Sequence, residues 1–182
     1  MSGRFIAVVG PSGVGKDSVM AALAKAQPDL FLARRAITRP SAAGGEDFDG
    51  IDEAAFLRLE AEGAFALSWA AHGLRYGIPI AVEPALAEGR DVLANLSRSM
   101  VTEAKLRFAR FEVLSLTASP DVLADRLRAR GRETEAEITA RLARADRALP
   151  DHIAAIEIDN SGPLKQTVAQ ALAALYPERA AR

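Results

Sequence analysis

Five apolar residues in succession, "FIAVV" at Phe5–Val9, stop abruptly at Gly10. A run this short, unbroken and closed by glycine predicts a parallel strand buried on both faces. The next stretch, "KDSVMAALAKAQ", changes period, with Val19, Leu23 and Ala26 recurring at helical spacing. Strand, glycine loop and helix therefore open the chain. Further apolar runs at 91–96 ("DVLANL"), 111–117 ("FEVLSLT") and 154–159 ("AAIEID") predict three more strands with helices between them. Ser119 followed by Pro120 predicts the start of a helix that Gly131 ends, and an arginine-rich helix is expected over 134–149. This alternation defines an α/β class: a central parallel sheet wrapped by helices.

The pattern breaks between 36 and 80. "RPSAAGGEDFDG" is loop chemistry, and "FALSWAAHGLRYGIPI" predicts short strands about a turn at His72-Gly73. A small lobe inserted into one sheet domain is the expected organisation. Phe56, Phe65 and Trp69 are expected in its core, and His72 and His152 as turn or surface residues.

With 182 residues, 49% of them apolar, the chain can bury a core of single-domain size. Lys plus Arg number 23 against 24 Asp plus Glu, so no global field draws in nucleic acid, and an anionic ligand must be met by local charge. Cysteine is absent, which removes disulfides, thiolate catalysis and cysteine zinc sites and fits a reducing compartment, the cytoplasm by default. No segment has the roughly 18 uncharged apolar residues of a membrane span, so no membrane partner is expected.

The candidate chemistry lies after the first strand. "GPSGVGKDSV" fits the phosphate-loop pattern at Gly10, Gly15 and Lys16, in the strand-loop-helix context that the pattern requires. Glycines let backbone N–H groups converge on phosphate oxygens, the helix start adds its positive end, and Lys16 places a charge on the transferring group. Nucleotide phosphates are thus expected on Gly10, Pro11, Ser12, Gly13, Val14, Gly15, Lys16, Asp17 and Ser18. Asp17 stands where the pattern has a hydroxyl residue for magnesium. Either it takes a metal role, or it is simply an acid favoured in the first turn of a helix. Ser18 is no substitute, because its side chain points roughly 100° further around the helix.

The chain resembles the guanylate kinase-like family over nearly its whole length. "GPSGVGK", "TRP" followed by Gly-Gly-Glu, "HGLRYG" and "RLRARGRETEAEITARLARA" occur in the family's order. The resemblance implies a P-loop kinase with a core at about 1–35 and 81–182, an acceptor-binding lobe at about 36–80 and an arginine-rich lid at about 128–148. It implies that Arg39 holds the acceptor's phosphate, Tyr76 hydrogen-bonds it, and Arg130 and Arg141 neutralise charge on the transferring group alongside Lys16. Arg126, Arg132 and Arg147 are expected on a solvated helix face.

Departures from the family pattern bear on the acceptor. Guanylate kinases read the base with a serine and a glutamate, and Arg35 and Ala71 stand at those positions here. A base bound without these partners would bury unpaired polar groups. The family's second acceptor arginine corresponds to Ala42 or Ala43. These departures, and Asp17 itself, resemble the branch that phosphorylates ribose 1,5-bisphosphate to 5-phosphoribosyl 1-diphosphate, an acceptor with two phosphates and no base, suited to Arg35 and Arg39. ATP, ribose 1,5-bisphosphate and Mg2+ are the implied partners. Guanylate kinases also keep an aspartate where Ser97 stands, so the family comparison implies an exchange of residue types between 17 and 97, with Asp17 and Ser97 as metal ligands. A GMP kinase and a non-catalytic guanylate kinase-like binding domain are the alternatives. The sequence leaves monomer or homodimer open.

Overall fold

Strand β1 (Phe5–Val9) is buried along its whole length, and its side chains divide between two cores. Phe5, Ala7 and Val9 face one side, against Val82 and Ala85 of α3 (Val82–Ala87) and Val101 and Ala104 of α4 (Val101–Arg107). Ile6 and Val8 face the other, against Val19, Met20 and Leu23 of α1 (Lys16–Ala26) and Ala171 and Leu175 of α7 (Leu164–Leu175). Helices on both faces explain why the strand reads as a continuous apolar run rather than an alternating one. The computed structural model describes residues 2–40, 47–131, 133–143, 145 and 148–177. Ala42, Ala43, Arg132 and Arg147 lie outside the described residues.

The main sheet has the order β2-β7-β1-β8-β9, all neighbours parallel, built from β1, β2 (Phe31–Leu32), β7 (Val92–Asn95), β8 (Phe111–Thr117) and β9 (Ile156–Asp159). The edge strand β2 was not foreseen: two residues carry no readable period, and pairing with β7 is what extends them. A second sheet, β4-β3-β6-β5, joins β3 (Ala36–Ile37), β4 (Asp49–Gly50), β5 (Phe65–Ala71) and β6 (Leu74–Pro79). Its β5–β6 hairpin turns at His72 (φ 53°) and Gly73 (φ 73°), the pair of positive φ values of a type I′ turn. Phe56, on α2 (Glu53–Ala61), is fully buried and stacks on Phe65 at 4.7 Å, as expected. Trp69 differs from expectation. It packs against the main core but also lines the cleft between the sheets, stacked on Tyr76 at 5.3 Å.

Helix α5 (Pro120–Arg130) begins at Ser119, whose hydroxyl accepts from the Val122 amide, and ends at Gly131 in the left-handed conformation. Helix α6 (Glu135–Leu142) opens with a capping box between Thr134 and Glu137. The two helices pack through Ala124, Leu127 and Ile138. Helix α6 is shorter than the expected 134–149. Leu142 packs with the core beneath α1 and α7 while Leu149 packs with the core on the opposite face, and one straight helix cannot serve both.

At the N-terminal edge of the main sheet, Arg4 clasps three elements. Its guanidinium donates to Asp91 at 2.6 and 3.1 Å, to Glu112 at 3.1 Å and to the Leu175 carbonyl at 3.0 Å, and the Tyr176 hydroxyl donates to Asp91 at 2.9 Å. The Arg4 and Asp91 side chains are 16% and 15% exposed. Among the described residues, no helix is long and apolar enough to cross a membrane.

Candidate active site

The C-terminal ends of β1, β7, β8 and β9 share one edge of the sheet, where parallel α/β folds place their ligands. The loop from Gly10 to Gly15 joins β1 to α1 there. Gly13 (φ 85°) and Gly15 (φ 93°) adopt backbone conformations that L side chains rarely accept, and a Cβ on Gly15 would stand 2.8 Å from Asn160 Nδ2. Val14 anchors the loop through a fully buried side chain. Lys16 Nζ donates to the carbonyls of Gly10 at 3.0 Å and Pro11 at 3.2 Å, which holds the ammonium over the loop.

A cleft of about 540 Å3 opens from this loop toward the second sheet. Twelve of the expected site residues line it together: Gly10, Ser12, Gly13, Gly15, Lys16, Asp17, Arg35, Arg39, Tyr76, Ser97, Arg130 and Arg141. Pro11, Val14 and Ser18 do not. Val14 is turned into the core, and Ser18 is exposed on α1, in keeping with the helical rotation that separates it from Asp17.

Asp17 Oδ1 accepts from Asn95 Nδ2 at 3.1 Å. Asn95 is 6% exposed and is the last residue of β7, which stops two residues short of Ser97. The Ser97 and Ser99 hydroxyls pair at 2.9 Å at the mouth of the same cleft. Sequence reading passed over Asn95 because a polar residue in an apolar strand has no periodic signature. Asp17 is the only carboxylate among the described residues that line the cleft, and among the described residues no three His, Cys, Asp or Glu side chains cluster as a metal cage.

Toward the second sheet the cleft turns cationic and aromatic. The Arg35 guanidinium lies over the rings of Tyr76 at 5.2 Å and Trp69 at 5.9 Å, and Arg39 lies over Phe48 at 4.4 Å. Stacking on these rings helps to hold both guanidinium planes in place. Ala71 offers only a methyl group, and His72 lines the cleft from the hairpin turn. Arg98, which the sequence reading did not single out, also lines the cleft and donates to the Ala145 carbonyl at 3.1 Å, linking the segment after β7 to the chain after α6.

The arginines of α5 and α6 have distinct roles. Arg130 and Arg141 face the cleft, and Arg141 Nη1 donates to Ser12 Oγ at 2.7 Å, with Glu133 at 3.5 Å from its other nitrogen. Arg128 is an exposed residue paired with Glu135 at 2.9 Å. The expectation of a solvated face fails for Arg126. It donates to the Val14 carbonyl at 3.2 Å and the Asn160 carbonyl at 2.7 Å, because the first turns of α5 run close behind the phosphate loop.

Fold, loop and cleft define a P-loop kinase, and the chain belongs to the guanylate kinase family: the profile described as "Guanylate kinase" matches residues 2–170. Similar proteins include "Ribose 1,5-bisphosphate phosphokinase PhnN" of Ruegeria sp. (strain TM1040), 51% identical over 179 residues that cover 98% of this chain and 94% of that protein. The protein of the same name from Chelativorans sp. (strain BNC1) is 48% identical over 177 residues, 95% of this chain and 85% of that protein. Among solved structures, guanylate kinase from Anaplasma phagocytophilum superposes with a TM-score of 0.66 at 19% identity over 97% of this chain and 86% of that one, a likeness of fold.

Proposed function

We infer that this protein is an ATP-dependent phosphotransferase that converts ribose 1,5-bisphosphate to 5-phosphoribosyl 1-diphosphate, with ADP as the second product. The observation that carries the reading is the acceptor end of the cleft. Arg35 and Arg39 lie there over aromatic faces, and an alanine, not an acid, stands at position 71. Two guanidinium groups suit a sugar with two phosphates. Guanine would instead bring N–H donors, and the methyl side chain of Ala71 has no acceptor for them.

In the proposed reaction an oxygen of the acceptor's 1-phosphate attacks the γ-phosphorus of ATP. The bond from γ-phosphorus to the bridging β-oxygen breaks, and its electron pair leaves with ADP. A 1-phosphate that enters as a dianion, its second pKa being about 6, needs no proton removed, so the site requires position and charge rather than a general base. Backbone amides of the Gly10–Gly15 loop and Lys16 hold the donor phosphates. Arg130 and Arg141 stabilise charge on the transferring group from the lid at about 128–148, and Arg39 and Tyr76 of the lobe at about 36–80 hold the acceptor together with Arg35 at the lobe's border. The donor set suits magnesium, which commonly takes one or two carboxylates, substrate phosphates and several waters. Asp17, fixed by Asn95, would supply the carboxylate and Ser97 a hydroxyl, directly or through water. A magnesium ion bound there would offset negative charge on the β- and γ-phosphates.

The test is incubation with MgATP and either ribose 1,5-bisphosphate or GMP, followed by identification of the product. Formation of 5-phosphoribosyl 1-diphosphate with little GDP is expected, and preferential formation of GDP would overturn the reading.

A further inference from the structure

The Val14 carbonyl oxygen, at the back of the phosphate loop, receives two side-chain hydrogen bonds from elsewhere in the chain: Asn160 Nδ2 at 2.7 Å and Arg126 Nη1 at 3.2 Å. Neither side chain lines the cleft. Asn160 is 4% exposed, and its Nδ2, Oδ1, backbone nitrogen and backbone oxygen each have a partner. Its Oδ1 accepts from the Thr167 hydroxyl at 2.6 Å, its backbone N–H donates to the Thr117 carbonyl at 2.7 Å, and its backbone carbonyl accepts from Arg126 Nη2 at 2.7 Å. Thr167, on α7, is itself 1% exposed. A network whose centre is buried and whose members are linked by hydrogen bonds holds one geometry.

That geometry has a direction. The described peptide bonds are all trans, so the Val14 carbonyl and the Gly15 N–H point opposite ways across one rigid plane. Pinning the oxygen toward Asn160 and Arg126 turns the Gly15 N–H away from them, and Gly15 lines the cleft. The guanidinium charge behind the carbonyl also polarises the peptide and strengthens its N–H as a donor. We propose that Asn160 and Arg126 are positioning residues of the phosphate site, which set the Val14–Gly15 peptide plane and so aim the Gly15 amide at the donor nucleotide's phosphates. Thr167 orients Asn160 from behind. The proposal rests on the reading that the loop binds the phosphates of ATP.

The measurement is equilibrium binding of ADP to the full chain by calorimetry, together with steady-state KM values for ATP and ribose 1,5-bisphosphate. Arg126→Ala, at a partly exposed site, is expected to keep its melting transition, weaken ADP binding and raise the KM for ATP about tenfold, and leave the KM for ribose 1,5-bisphosphate unchanged. Arg126→Lys should recover part of the loss. Asn160→Ala should weaken ADP further, and the double variant should lose less than the product of the two single effects, because both act on one oxygen. If Asn160→Ala does not fold, the Arg126 pair decides alone. A folded Arg126→Ala that binds ADP as the wild type does overturns the proposal, as does an equal change in the KM for the acceptor. A wild type that binds no ADP instead overturns the phosphate-loop reading, and this proposal with it.

Discussion

The Asn95 amide donates to the Asp17 carboxylate at 3.1 Å and so ties the end of β7 to the first turn of α1. An acid serving only the helix dipole needs no buried amide beside it. If Asp17 is the magnesium ligand and Asn95 orients it, Asp17→Ser should raise the magnesium concentration for half-maximal turnover by about 10- to 100-fold, and Asn95→Leu by less. Adding Ser97→Asp to Asp17→Ser should restore part of the loss. Magnesium titrations of the wild type, Asp17→Ser, Asn95→Leu, Ser97→Asp and the double variant check this, and additive effects of the changes at 17 and 97 with no recovery would reject an exchange between those positions.

Lys16 Nζ donates to main-chain oxygens of its own loop at 3.0 and 3.2 Å, while the buried side chain of Val14 anchors that loop in the core. Replacing Lys16 removes charge from the phosphate site and leaves that anchor in place. Lys16→Ala should lower kcat by about a hundredfold or more while the melting temperature stays within about 5 °C of wild type. A variant that unfolds, or one with near-normal turnover, contradicts the assigned role.

Arg35 lies over Tyr76 and Trp69 at the acceptor end of the cleft. Replacing Arg35 with Ser together with Ala71 with Glu should raise the KM for ribose 1,5-bisphosphate about tenfold and bring GMP phosphorylation above the wild-type level. Product chromatography with each acceptor reads both effects. An unchanged KM for ribose 1,5-bisphosphate would remove Arg35 from the acceptor site.

The Arg4 clasp makes stability depend on pH at both extremes. Burial opposes the charge of Asp91, but hydrogen bonds from Arg4 and Tyr176 outweigh it and hold its carboxyl below the usual carboxylate range. This contribution is present above about pH 4 and is lost as pH falls through the depressed value. Burial, then the bond to Asp91, push the Tyr176 phenol up to about 12. The folded state therefore holds that proton more tightly, and stability should fall as pH rises from about 10 through about 12. Denaturant midpoints across these two windows test the signs. Tyr176→Phe should flatten the alkaline limb, and Asp91→Asn the acid limb.

Much was legible in the chain because it depends on neighbours in sequence. The buried run of Phe5–Val9, the glycines that follow, Lys16 at a helix start, Pro120 after Ser119 and the His72-Gly73 turn are local signals with local causes. What long-range packing sets was not legible. Position 126 reads as one more arginine on a polar helix, and only the approach of α5 behind the phosphate loop makes it a partner of Val14. Asn160 sits in an unremarkable loop until β9 and α7 bring it under the same carbonyl. Trp69 reads as lobe core, and its stacking on Tyr76 beneath Arg35 exists only once β5 and β6 pair. The sequence by itself determined the parallel α/β class, the phosphate loop and which side chains carry charge, since periodicity and motif are properties of adjacent residues. Tertiary structure alone decided which of many arginines face the cleft, which brace the loop and which pair on the surface. Those choices depend on contacts between residues as far apart as Val14 and Asn160, and no spacing along the chain encodes such a contact.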